Sequence, residues 1–234
     1  MSALDKQEDD SSAVPTAEAA RRVTLPTASG STEKSGTREE MEDQLLGAAA
    51  SLFHRKGFVA STTRELAQSM GLQRASLYHY LESKQDLLYV LCSRAMESIS
   101  REVAEASQTA PPDERLASAV RAHIAATLRD QEMHSVVLSE FRHLDEDRRD
   151  EISRQHHSYH QQIRKLLSEE QDAGRLRTDL DSKYLALMLS NLLNWTLYWY
   201  DPDGPLQPSQ IADLVIDLFT NGAKARHPDP SVNA

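Results

Sequence analysis

Two short amphipathic segments face each other across a single glycine, STTRELAQSM ahead of Gly71 and QRASLYHYL just behind Leu72. Thr62 stands three residues before Glu65, the spacing at which a hydroxyl and a carboxylate each cover an orphan amide at a helix start. Leu66, Ala67 and Met70 then return to one side, and after the turn Ala75, Leu77, Tyr78 and, in part, Leu81 do the same. Two helices of about eight residues joined by a three- or four-residue turn containing glycine can share a core only by crossing steeply, which is the helix-turn-helix arrangement.

The rest of the chain reads as helix as well. A first helix begins at Thr37, with Leu45, Ala49, Leu52 and Phe53 on one face and Gly57 as its stop. Ser83 and Asp86 repeat the capping signal and open a long helix through Leu87, Leu91, Ala95 and Ile99 to about Ser107, before Pro111 and Pro112. Further helices are expected at Asp113–Arg129, Met133–Leu144, Asp145–Ala173 with Gly174 as stop, Asp181–Tyr200, and Pro208–Asn221 with Gly222 as stop. There is no strand pattern, so the fold class is all-α. Tyr184–Tyr200 is too short and too polar, with Ser190, Asn191, Asn194 and Thr196, for the roughly 20 apolar residues of a membrane span. It is read as a helix buried in protein. The stripe Ile211, Leu214, Val215, Leu218 and Phe219 on the last helix must also be covered, and the two helices together suggest a bundle shared by two subunits.

The division expected from these patterns is a polar, disordered tail at 1–36, a small head at 38–98 with its helix-turn-helix at 62–81, a larger helical unit at 99–225, and a flexible end at 226–234. Cys92 is the sole cysteine, which excludes an intrachain disulfide or a cysteine zinc cluster and fits a reducing cytoplasm; its neighbours Leu88, Leu91 and Ala95 favour packing over redox sensing. The start MSALDKQEDD lacks the basic and apolar regions of a secretory signal. The eight glycines stand apart, so no phosphate-cradling glycine loop and no nucleophile elbow is present, and no catalytic residue, cofactor or metal is expected.

With 26 Lys and Arg against 36 Asp and Glu the net charge is −10, an unpromising balance for a nucleic-acid partner. The charge is unevenly placed. Between Arg55 and Lys84 five cations face two carboxylates, leaving +3, whereas residues 37–54 carry −3. The positive field is thus concentrated where phosphates would be gripped and base edges read.

These residues also carry a resemblance. Residues 38–98 resemble the N-terminal DNA-binding domain of the TetR family of bacterial transcriptional regulators, whose pattern runs F-x-x-x-G-F/Y (Phe53 to Phe58), T-T/V-x-x-I/L-A (Thr62 to Ala67) and G-V/L-S-x-G/A-S/T-L/I-Y-x-H/Y-F-x-x-K (Gly71 to Lys84). Gln73 replaces the usual Ser and Leu81 the usual Phe; the second is a packing change, while the first bears on which operator is preferred. The resemblance implies that Thr62, Tyr78 and Lys84 hold phosphates, that Gln73, Arg74, Ser76 and His79 approach the groove, and that Thr63 belongs to the same DNA-binding set. Arg74 can pair with guanine and Gln73 with adenine, and for His79 a phosphate contact or a solvated position is as open as base readout. A single unit binds weakly, so a homodimer presenting two such helices about 34 Å apart, or at a wider spacing on one face, to a palindromic operator in double-stranded DNA is expected.

By the same resemblance the C-terminal half is a sensor that binds a small effector and moves the DNA-reading heads, releasing a repressor. NWTLYWYDPDGPL is similar to regulators of lipid, steroid and aromatic-acid catabolism that answer to acyl-CoA thioesters, with Trp195 at a matching position and Trp199 to Leu206 as W-Y-x-P-x-G-P-L. Asn191 stands where some steroid-type members carry arginine. Arg142, Met188, Asn191 and Trp195 are the effector-binding candidates; packing is the alternative for Trp195, and pairing with Asp145 or Glu146 for Arg142. Other readings stay open: a regulator of an efflux pump responding to a hydrophobic drug-like ligand, a ligand-free adaptor docking a protein partner, and a helical metalloenzyme on Glu140 and His143, with His156 and His160 one turn apart as metal or surface residues.

Overall fold

The computed structural model describes residues 33–223 other than position 81; at 33–39, 74 and 223 the description is of the backbone alone. The expectations for the tail before residue 33, for Leu81 and for 226–234 lie outside the described residues. Among the described residues the order is α1 (Glu33–Lys56), α2 (Thr63–Ser69), α3 (Arg74–Leu77), α4 (Lys84–Thr109), α5 (Arg115–Arg129), α6 (Gln131–Glu140), a 3-10 turn at Phe141–His143, α7 (Glu146–Asp172), α8 (Ser182–Trp199) and α9 (Pro208–Ala223), with no strand. None of these helices is long and apolar enough to cross a membrane.

Helix starts follow the side-chain caps. Ser83 accepts from the amide of Asp86, Asp145 from that of Arg148, and Asp181 from that of Lys183. Gly57 and Gly174 take positive φ values of 79° and 71°, the left-handed turn that releases a chain from a helix at little cost only in glycine. Gly222 is different: α9 continues through it to Ala223 without a positive φ, so it is not the expected stop. The helix expected over Met133–Leu144 starts two residues earlier and tightens into the 3-10 turn at Phe141.

α4 joins the two ends of the molecule. Its first turns close the core made by α1, α2 and α3, through Leu45, Leu46, Phe53, Leu66, Leu77 and Leu88, while its remainder packs chiefly on α5. α5 lies against α9, α7 against α8, and α6 leans on α1, so the small head and the larger bundle share one continuous core. Cys92 is fully buried in it, and burial pushes its thiol up to about 12, which leaves it protonated and unreactive at neutral pH.

Candidate nucleic-acid interface and effector pocket

The head is held by local bonds that the sequence spells out. Thr62 Oγ1 accepts from the amide of Glu65 at 3.2 Å, and Glu65 Oε2 accepts from the amide of Thr62 at 3.0 Å, which completes the box. Glu65 also pairs with Lys56 at the end of α1; this pair, with the Thr62 hydroxyl, holds its carboxyl below the usual range. At the other end of α2, Gly71 sits at φ 67°, its amide bonded to Gln68 O at 3.1 Å and that of Leu72 to Ala67 O at 2.8 Å. That paired closure turns the chain into α3.

α3 is only one turn long, and Tyr78, His79 and Tyr80 continue it through looser bonds, such as His79 N to Ser76 O at 3.2 Å. Leu77 is buried beneath, so α3 is anchored by one apolar side chain and shows its other sides to solvent. Gln73, Tyr78 and His79 are exposed there with Ala75, Ser76 is half-buried, and Arg74 contributes the first helical residue. The Gln73 side chain makes no capping bond. Thr63 Oγ1 lies 3.5 Å from Tyr78 Oη, which joins α2 and α3 in one hydroxyl-bearing surface beside the exposed Thr62 and Arg64.

Lys84 turns toward its own head. Its Nζ donates to the carbonyls of Phe58 at 2.7 Å and Ser61 at 2.8 Å, approaches Val59 O at 3.5 Å, and stands 4.3 Å from the centre of the Phe58 ring. An ammonium has three protons to give, and here they go to the loop between α1 and α2. Lys84 therefore braces the head from within. Burial lowers its pKa from the ordinary lysine value.

A pocket of about 40 Å³ opens in the bundle. Its apolar wall is Met96, Ile99, Val137, Leu138 and Leu197. Opposite are His123 and Thr127 of α5, His134 of α6, His156, Tyr159 and His160 of α7, and Ser190 and Asn194 of α8. His123 Nδ1 is 2.5 Å from Tyr159 Oη, and His160 Nδ1 is 3.3 Å from Ser190 Oγ. Burial is the main cause that pushes His123 down to about 3 and His134 to about 4, so both rings are neutral at physiological pH.

None of the four residues expected to bind the effector lines this pocket. Met188, Asn191 and Trp195 lie on the outward face of α8, with Trp195 64% exposed against Tyr198. Arg142 is exposed in the 3-10 turn, its Nε 3.4 Å from His143 Nε2, and Asp145 is paired with Arg148 instead. The reason is rotation: successive helical residues are about 100° apart, so Ser190 and Asn194 point inward while Asn191 and Trp195, one step along, point out. The expected pair Glu140 and His143 is together, at 3.6 Å, but Glu140 Oε2 also accepts the amide of Phe58 at 3.0 Å and so ties α6 to the head. His156 and His160 face the pocket, and no cluster of three or more potential ligands is placed to hold a metal among the described residues. Sequence reasoning missed His123, His134 and Tyr159. The one available signal was an imidazole at position 123 within the apolar stripe Leu116, Ala119, Val120, Ile124.

Residues 45–90 match the family of bacterial regulatory proteins known as the tetR family, and residues 109–223 match the tetracyclin repressor-like C-terminal domain. The chain belongs to the TetR family. It is thus a DNA-binding transcriptional regulator. Among its relatives are the HTH-type transcriptional repressor KstR2 of Mycolicibacterium smegmatis, 25% identical over 77% of this chain and 89% of that one, and the fatty acid metabolism regulator protein of Bacillus subtilis, 22% identical over 76% and 93%. Among solved structures this regulator is similar to PfmR of Thermus thermophilus, with TM-score 0.71 and 27% identity over 76% of this chain and 97% of that one. It is also similar to AibR in complex with isovaleryl coenzyme A and operator DNA, with TM-score 0.69 and 26% identity over 76% and 98%.

Proposed function

We propose that this TetR-family protein is a homodimeric repressor that leaves its operator when an acyl-CoA thioester enters the bundle. What carries the reading is the connection between the pocket and the head through one helix. α6 sets His134, Val137 and Leu138 on the pocket wall, while Glu132 near its start accepts from Ser51 of α1 at 3.3 Å and Glu140 at its end holds the amide of Phe58. A ligand that displaces the wall shifts both anchors of the head at once. To release a tightly held operator the effector must prefer the DNA-incompetent form by a few kcal/mol. The thioester class is supported by the repressor and fatty-acid-regulator relatives and by the isovaleryl coenzyme A complex of AibR.

On the DNA side, Thr62, Thr63 and Tyr78 hold phosphates, and Gln73, Arg74, Ser76 and His79 meet the groove; Lys84 supports them from behind. The dimer forms through the outward faces of α8 and α9, where Tyr184, Leu187, Met188, Trp195, Leu214 and Leu218 are exposed. Arg142, Met188, Asn191 and Trp195 are accordingly assigned outside the effector pocket.

Two measurements test this. After selection of the operator from a random duplex library, Tyr78→Phe should weaken binding to all sequences alike, whereas Arg74→Ala should cost about 1–3 kcal/mol at one base position and relax the preference there. An unchanged preference removes Arg74 from the reading set. Addition of acyl-CoAs of graded length should raise the melting temperature of the protein by mass action and lower operator affinity in the same order. Stabilisation without operator release would refute the repressor mechanism, and absence of both would refute the effector class.

A further inference from the structure

The bundle pocket contains a polar group that nothing among the described residues satisfies. His123 is 2% exposed, and while its Nδ1 meets Tyr159, its Nε2 is buried and has no hydrogen-bond partner among the described residues. His156, stacked on Phe141 at another wall of the same pocket, has its Nε2 buried and unpartnered as well. Buried polar atoms in folded proteins are ordinarily paired, so two exceptions on the wall of one pocket call for a partner from outside the described residues.

The tautomer follows from counting protons. The Tyr159 hydroxyl has the His123 ring as its hydrogen-bond partner. If the phenol donates to Nδ1, its proton is satisfied and Nε2 carries the ring proton; if Nδ1–H donates instead, both the phenol proton and the Nε2 lone pair are stranded. The first arrangement leaves one unmet group and the second leaves two, so Nε2 is an unpaired donor on a residue that lines the pocket. Among the described residues the pocket wall contains no Lys, Arg, Asp or Glu. A carboxylate there would lose its hydration with no cation to replace it, and a plain hydrocarbon would leave the donor unmet. A pocket of about 40 Å³ has room for roughly three waters or one compact functional group before its walls move.

We infer that the effector carries a neutral oxygen, as a ketone or hydroxyl, on the part that enters this pocket, and that His123 Nε2–H donates to it with His156 beside it. This specifies the ligand of the sensor proposed above and rests on that reading. Tyr159 is a positioning residue, since it sets the His123 tautomer by donating to Nδ1.

The test uses the full chain with histidine imidazoles labelled with nitrogen-15, titrated with cyclohexanone and with its hydrocarbon isostere methylenecyclohexane. The ketone should bind at least about tenfold more tightly, given the penalty for an unmet buried donor, and should shift the His123 signal. His123→Phe should bring the two affinities together, and Tyr159→Phe should shrink the preference while the His123 signal persists and changes position. Equal affinities in the natural chain, no ketone binding, or a preference that survives His123→Phe each overturn the inference. The natural-chain comparison decides the matter even if a variant fails to fold. Calorimetry with hexanoyl-CoA and 3-oxohexanoyl-CoA separates the two proposals. If neither thioester binds while the ketone preference holds, only the thioester class is lost; if both thioesters bind equally, the requirement for a ketone or hydroxyl beyond the thioester carbonyl falls and the thioester class stands.

Discussion

A chain carrying Trp195→Asp and Leu218→Asp is expected to remain helical, to sediment as a monomer, and to lose at least about a hundredfold in affinity for a two-half-site operator. Both side chains are more than half exposed, at 64% and 69%, so neither supports the core of its own subunit. They lie on α8 and α9 with Tyr184, Met188, Tyr198 and Leu214, an apolar surface of the kind that marks a protein contact. Two carboxylates on that surface would have to be desolvated against their symmetry mates in the dimer, where each residue meets the same patch. The loss on DNA follows because one head alone forfeits the effective concentration that the second head supplies. Sedimentation velocity and fluorescence anisotropy on one- and two-half-site duplexes check it. A variant that stays dimeric, or a monomer that binds the full operator undiminished, would rule this surface out.

The second expected result concerns Lys84. Lys84→Ala should destabilise the head by about 2–4 kcal/mol, the sum of two or three charge-assisted bonds to carbonyls and a cation–π contact. Hydrogen exchange should rise first in residues 57–61, the loop whose carbonyls Lys84 binds, and DNA affinity should fall because the start of α2 loses its support. Lys84→Arg discriminates between roles. A phosphate contact tolerates a guanidinium, whereas a carbonyl cage shaped for a compact ammonium does not, so the arginine variant should remain destabilised. If Lys84→Arg restores DNA binding and stability, the lysine serves the phosphate after all.

The helix-turn-helix could be read almost completely from its residues. Thr62 and Glu65, Gly71 with Leu72, and Ser83 with Asp86 act within four residues of one another, so backbone geometry alone makes them meet. The difference within the head is on the same scale: the amphipathic run from Gln73 to Leu81 suggests two turns, but a single turn forms, with Leu77 the one buried residue of that run among those described. For Lys84 the motif gives a position, and its bonds to the carbonyls of Phe58 and Ser61 are seen only in the fold.

In the bundle, apolar periodicity was enough to place each helix but not to orient α8, which is apolar on most sides. Such a helix has two faces to bury, one inside its own subunit and one against another. Here the inward face carries Ser190 and Asn194 at the pocket, and the outward one carries Trp195 and Leu192. A hydrophobicity pattern ranks these faces the wrong way round. The pocket draws on α4 through α8, with His123 and Tyr159 separated by 36 positions along the chain yet bonded through their side chains. Caps, turns, helix spans and family motifs are short-range consequences of residue order, so the sequence alone determines them. Which nitrogen is left unpaired in a cavity depends on five helices arriving together, and only their packing decides it.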